Sequence, residues 1–166
     1  MPANGYKLWL MVEILILFSV SAIGRTIHVG PGKEFKNIRP ALLVARDGDT
    51  LYVQHGLYKE GNIVINKKVV MIGIELPVID GDKRYEVVSI KSDQVIFKGF
   101  QVQNSGFATL NDPGGIKVYD AANVQILENV LENNFFGIYI QYGKHITVKN
   151  NRIKAYGVQE QQIVNG

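Results

Sequence analysis

Apolar residues fall along this chain in short β-branched bursts separated by turn formers, and one stretch alone shows a helical period. Ile38, Leu42 and Ala45 repeat at three- and four-residue steps, with Phe35 leading in, which predicts a compact helix over 38–46. Asn37 is a good N-cap, able to accept a free amide of the first turn through its side chain. Pro40 falls in that first turn, where its missing N–H does no harm, and Gly48 stands where a C′ glycine would end the helix. From Thr26 onward all other apolar segments read as strands. Thr26–Val29 precedes the turn Gly30-Pro31-Gly32, and Leu51-Tyr52-Val53 precedes His55-Gly56. Further strand candidates are 63–65, 69–72, 78–79, 87–90, 95–97 and 100–102.

Self-similarity organises these strands. When 115–134 is laid on 137–156, at an offset of 22, Ile116 meets Ile138, Val118 meets Ile140 and Val124 meets Ile146. Ile126 then meets Val148, Asn129 meets Asn151 and Leu131 meets Ile153. The preceding segment fits at an offset of 29, with Val95, Phe97 and Val102 in the slots of Val124, Ile126 and Leu131. The extra residues fall in the loop 105–114. A repeat of about 22 residues made only of short strands and turns predicts a β-solenoid whose inward residues stack on their own kind. The expected fold is therefore all-β, a right-handed parallel β-helix with a short N-terminal capping α-helix. Asn129 and Asn151 are expected at an inward turn, joined through their side-chain amides. The helix is expected to close the N-terminal end. The tail Val164-Asn165-Gly166 shows no polar helix or atypical coil, so the chain is expected to be the N-terminal part of a longer solenoid whose open last coil would favour aggregation.

Composition narrows the classes. The chain is 46% hydrophobic and 20% charged, enough to bury a core. Its net charge of +3 comes from scattered lysines and gives no nucleic-acid footprint. There is no cysteine, which excludes disulfides and thiolate metal sites. Lys7, the apolar run 8–22 and the small residues Ser21 and Ala22 have the layout of a secretory signal peptide, with Glu13 an irregularity inside the run. A signal over 1–22, cleaved after Ala22 or after Gly24, predicts a periplasmic domain over 23–166 with no stable membrane span.

No catalytic set emerges from the residue types. His28, His55 and His145 show no metal-ligand spacing. His55 and His145 read first as exposed turn residues and stand as the weak metal candidates. His28 could join a free N-terminal amine in holding Cu(II) only after trimming to Thr26, which is not expected. Met71 lies in an apolar strand and reads as core. Asp80 and Asp82 flank Gly81 as a turn, and Glu128 and Glu132 read as solvated. Asp112 and Asp120 are the one pair of carboxylates that could converge across a loop, as a glycosidase requires. Arg152-Ile153-Lys154 resembles the Arg-Ile-Lys element of polygalacturonases, but their paired aspartates and Gly-His-Gly element are missing upstream. Strand alternation explains the triplet, with Ile153 inward and its basic neighbours outward. Phe135, Phe136, Tyr139, Tyr142 and Tyr156 cluster on the last coils, where they form a binding face unless Phe135 or Phe136 stacks inside.

The segments Gly48-Asp49-Thr50, Gly56-x-Tyr58-x-Glu60 and Val78-Ile79-Asp80-Gly81 look like the first coils of many exported β-helix proteins. Three further segments are Gly115-Ile116-Lys117-Val118, Glu132-Asn133-Asn134-Phe135-Phe136-Gly137-Ile138-Tyr139-Ile140 and Lys149-Asn150-Asn151. Together with the tail, they are similar to the NosD family of periplasmic maturation proteins for nitrous oxide reductase. That resemblance runs over about residues 26–166. It implies a non-enzymatic accessory role, exercised with an ABC transporter ATPase and its membrane subunits, in building the catalytic copper–sulfur centre of the reductase. It implies contact with copper only through that role and supplies no ligand residue or bound cofactor here. NosD proteins are about twice this length or more, so the partner-binding surface is not carried over. The rival expectation is a carbohydrate-active β-helix protein, a lyase, esterase, hydrolase or sugar-binding module. A purely structural surface solenoid is the third expectation.

Overall fold

The computed structural model describes residues 24–107 and 112–155, so the signal peptide expected over 1–22 and Tyr156 lie outside the described residues. The described residues begin with β1 (Thr26–Val29), followed by their one helix, α1 (Ile38–Val44). The first coil is β2 (Thr50–Val53), β3 (Leu57–Tyr58) and β4 (Ile63–Ile65). The second is β5 (Val70–Gly73), β6 (Val78–Asp80) and β7 (Val88–Ile90). The third is β8 (Ile96–Lys98), β9 (Gln101–Gln103) and β10 (Gly114–Tyr119). The fourth is β11 (Gln125–Leu127), β12 (Val130–Asn134) and β13 (Phe136–Gln141), and β14 (Thr147–Lys149) with β15 (Arg152–Ala155) follows.

Among the described residues every strand pairing is parallel and joins one coil to the next, which makes a solenoid of about five turns. Three sheets result, ordered β1-β2-β5-β8-β11-β14, β3-β6-β9-β12-β15 and β4-β7-β10-β13. The registers are those of the sequence repeat. Ile116 pairs with Ile138, Val118 with Ile140, Ile126 with Val148 and Leu131 with Ile153. Phe97 and Val102 hold the expected places above Ile126 and Leu131. Inward stacks such as Met71, Phe97 and Ile126 have no solvent exposure, as expected for Met71. Phe97 and Phe100 stack at 4.4 Å within that core.

The turns depend on left-handed backbone. Asn123 and His145 occupy one corner at φ 58° and 53°, and Glu128 and Asn150 the next at 54° and 57°. The Asn129–Asn151 ladder forms as expected. Asn151 Oδ1 accepts both the Asn129 amide at 2.9 Å and Asn129 Nδ2 at 3.0 Å. Asn129 Oδ1 in turn accepts the Phe100 amide at 3.0 Å. A second inward ladder had no signal in the repeat. Buried Asn134 accepts the Ser105 amide at 3.1 Å and donates to the Val102 carbonyl at 2.9 Å.

The helix is shorter than the 38–46 expected, and its caps come from elsewhere. Asn37 is extended, at φ −123°, and makes no side-chain cap bond. The Glu60 carboxylate accepts the Ile38 and Arg39 amides instead, at 2.7 and 2.9 Å. At the other end Lys67 Nζ donates to the carbonyls of Leu42, Leu43 and Ala45, at 2.8, 2.9 and 2.6 Å. The chain therefore leaves the helix at Ala45, before Gly48, which serves the following turn at φ 90°. Opposite charges at the two ends match the helix dipole. Ile38, Ala41 and Leu42 bury against the first coil while Leu43 stays exposed, so the helix covers the N-terminal end of the core as expected.

Asp80 does more than make a turn. Asp82 and Lys83 have positive φ, but the Asp80 side chain is buried. Its carboxylate accepts the Asp82 backbone amide at 2.8 Å and the side-chain donors Gln103 Nε2 and Asn104 Nδ2 at 2.9 Å each. Burial alone would raise its pKa. Those donors, with the charge of Lys59, outweigh burial and hold it below the ordinary value. A lowered folded pKa means that ionised Asp80 stabilises the fold above about pH 4, and that this contribution fades as pH falls through the folded value. Asp80→Asn should therefore cost about 1–3 kcal/mol near neutral pH, because the amide turns a donor toward donors. The difference from the native protein should shrink when urea unfolding is repeated near pH ~3. A difference that stays constant with pH would contradict this account.

Candidate functional site

The outward faces of the three sheets differ in chemistry, and one of them is furnished as a site. On the sheet β4-β7-β10-β13, the inward residues Val88 and Ile90 alternate with outward Ser89, and Ile116 and Val118 with outward Lys117. Ser89 lies beside Lys117, and Lys117 beside Tyr139, in one column across the coils. Arg84–Glu86, before β7, and Phe107, Asp112 and Pro113, before β10, line the margins. The result is an open groove of about 680 Å³, bordered by Tyr85, Phe107, Lys91 and Asp112 and floored by Ser89 and Lys117.

Glu86 is the hub of that floor. The Ser89 hydroxyl donates to one carboxylate oxygen, and the Tyr119 hydroxyl donates to the other at 2.7 Å. Asn62 Nδ2 donates to the Glu86 carbonyl and to Ser89 Oγ, each at 2.8 Å. Lys117 Nζ stands 3.9 Å from Glu86, its side chain 7% exposed. It also lies 4.9 Å from the Tyr119 ring centroid and 4.8 Å from that of Tyr139, within cation–π range. Lys91 lies 4.9 Å from the Tyr119 ring and keeps a solvent-exposed side. Burial, then the hydrogen bond and charge of Glu86, then Tyr139, push the Tyr119 phenol well above its ordinary pKa. It is held protonated as a donor to Glu86.

Of the residues singled out in the sequence, few gather here. His55 lies in the turn after β2, exposed, with Nδ1 2.9 Å from the Glu75 carbonyl. His145 is an exposed corner residue before β14, so the two metal candidates stand on separate coils. His28 stacks on Tyr52, ring centroids 5.7 Å apart. Among the described residues no group of three His, Asp or Glu side chains could hold a metal ion. Asp112 borders the groove, whereas Asp120 sits in the exposed corner beyond β10 and does not line it. Glu128 pairs with Lys98 at 3.1 Å and Glu132 with Arg152 at 3.7 Å on the surface. That second pair places Arg152 outward, as strand alternation requires.

Phe135 and Phe136 do not stack inside. They are 43% and 37% exposed and meet edge to face at 4.7 Å. Phe136 continues toward Tyr139 at 5.5 Å, so an aromatic strip runs from there to the groove. Glu86, Ser89 and Asn62, which build the hub, had no signal of their own in the sequence. They occupy outward positions where the repeat imposes no residue type.

A family model described as right handed beta helix region matches residues 53–162. No curated protein and no solved structure matches the chain. That match spans most of the chain and coincides with the stacked coils, so the chain belongs to the right-handed β-helix family.

Proposed function

We propose that this chain is an exported, non-enzymatic accessory protein that holds a partner protein on the groove face. The carrying observation is the mutual satisfaction of the groove's ionisable groups. Glu86 already accepts hydrogen bonds from Ser89 and Tyr119 and faces Lys117, and Tyr119 is committed as a donor. A general acid or base must instead be poised to exchange a proton with a substrate. A preformed, rigid and saturated surface suits holding. The resemblance to the NosD family supplies the context, in which the partner is nitrous oxide reductase in the periplasm and an ABC transporter works alongside. In that context copper and sulfur are cargo of the assembly, not residents of this chain.

The test is genetic and chemical. In an organism that respires nitrous oxide, deleting the gene should leave the reductase made and exported, its electron-entry copper site filled and its catalytic copper–sulfur centre missing. Copper and sulfide content, with nitrous oxide turnover, are the quantities to measure. A fully active reductase in the deletion strain would end this reading. A carbohydrate-active reading is favoured by one feature, the presence of Glu86 and Asp112 on the same ring-lined groove. It requires that the purified protein release products from pectin, alginate or a similar polymer.

A further inference from the structure

The groove has a direction and two unlike margins. Its floor runs along the solenoid axis from β4 to β13, three strand spacings of about 4.8 Å, or roughly 14 Å. That length accommodates about four residues of extended polypeptide at roughly 3.3 Å each. Arg84 and Tyr85 precede β7, and Phe107 is carried beside them by the Gly106 amide, which donates to the Tyr85 carbonyl at 2.9 Å. Lys91 follows β7 and stands with Tyr119 on the opposite margin. Each margin thus pairs an exposed cation with a ring, and all of β7 lies between them. Arg84 also reaches Asp82 at 3.8 Å but keeps 72% of its side chain exposed. Tyr85 and Phe107 are 44% and 52% exposed. Of the residues that line the groove, Arg84, Lys91 and Lys117 stand against Glu86 and Asp112, a surplus of one positive charge, while Asp82 pairs with Arg84 from outside the groove.

We infer that this groove binds an extended acidic segment of a protein partner in which carboxylate and aromatic side chains are interspersed. The inference rests on the partner-holding reading above and names the chemistry of that contact. Successive side chains of an extended strand point to opposite sides, so one backbone along the axis serves both margins at once. A carboxylate would reach Lys91 or Arg84, and a neighbouring ring would lie against Tyr85 and Phe107 or against Tyr119. One small acid could not bridge two cations set at opposite margins. The net positive rim favours an acidic segment over a basic one and raises its rate of encounter.

Calorimetry on the full chain tests this with a random copolymer of glutamate and tyrosine as the probe. The copolymer should bind. Lys91→Glu and Phe107→Ala, both at exposed positions and checked for native melting, should each weaken binding at least about tenfold, the scale of one lost interface anchor. A lysine–tyrosine copolymer should not bind. Failure of the glutamate–tyrosine copolymer to bind, unchanged affinity in both variants, or tighter binding of an oligogalacturonate through the same residues would overturn the inference. The two readings fail separately. A deletion strain complemented fully by the Lys91→Glu, Phe107→Ala double variant sinks the groove contact and leaves the assembly role standing. A deletion strain with an intact reductase sinks the assembly role, whatever the groove binds.

Discussion

Asn129→Ala should lower the unfolding free energy by about 3–5 kcal/mol, a large loss for one polar side chain. Asn129 is 1% exposed. Its Oδ1 accepts the Phe100 amide at 3.0 Å, and its Nδ2 donates to the Phe97 carbonyl at 3.2 Å and to Asn151 at 3.0 Å. One amide thus satisfies backbone groups of the coil before it and a side chain of the coil after it. Alanine would leave the Phe100 N–H buried without a partner, at about 1–3 kcal/mol, and would take from the Phe97 carbonyl the donor it has besides its strand ladder. It would also open space beside the stacked Phe97 and Phe100 rings. Asn129→Leu separates the two effects. Leucine refills the space but supplies neither donor nor acceptor, so it should remain destabilised by about 2 kcal/mol or more. Equilibrium urea unfolding of both variants is the measurement. A leucine variant as stable as the native protein would mean that the ladder matters only for volume.

The Asn129–Asn151 ladder was legible in the sequence for the same reason that it is stable. A solenoid repeats its inward chemistry, because each inward side chain packs on the matching one in the next coil. The offset that aligned Ile116 with Ile138 and Ile126 with Val148 therefore aligned the two asparagines as well. The ladder at Asn134 escaped because its partner is not an asparagine. Ser105, at the edge of the inserted loop, offers a backbone amide that a repeat of side chains does not reveal.

Outward positions are a different matter. They face solvent or a ligand, no neighbour imposes their type, and so Ser89, Lys117 and Tyr139 share one column without sharing chemistry. This is why the groove could not be read before the coils were stacked, even though Lys117 belongs to a segment already singled out. The helix caps failed to show for a third reason. Local sequence suggested Asn37, but the first-turn amides are taken by Glu60, one coil later, a contact that only folding supplies. Segments that carry the likeness to the NosD family, such as Ile116, Val118 and Asn151, prove to be scaffold positions. The likeness therefore speaks first for the coil and only through the outward residues for the role.

Glu86→Leu should be the most damaging change on the groove, about 3–5 kcal/mol, while the double change Glu86→Leu, Lys117→Met should cost markedly less than the two single costs combined. The reason lies in burial. The Lys117 side chain is 7% exposed and that of Glu86 is 14% exposed, so neither charge has much water to fall back on. Leucine at 86 takes the carboxylate away from the buried Lys117 ammonium, and the Tyr119 and Tyr139 rings beside it replace only part of that attraction. It also takes the acceptor from the Tyr119 hydroxyl, while Ser89 keeps Asn62 Oδ1 at 3.1 Å as an acceptor. Lys117→Met is milder, because Glu86 keeps both of those donors. In the double variant no buried charge remains, and the thioether fills much of the lysine's space. The expected coupling energy is about 2 kcal/mol, read from a double-mutant cycle of urea unfolding curves. It should persist at high salt, since a buried pair is screened far less than a surface one. Strict additivity of the single changes would show that Glu86 and Lys117 act independently. The groove floor would then lack the preformed rigidity on which the proposed holding role rests.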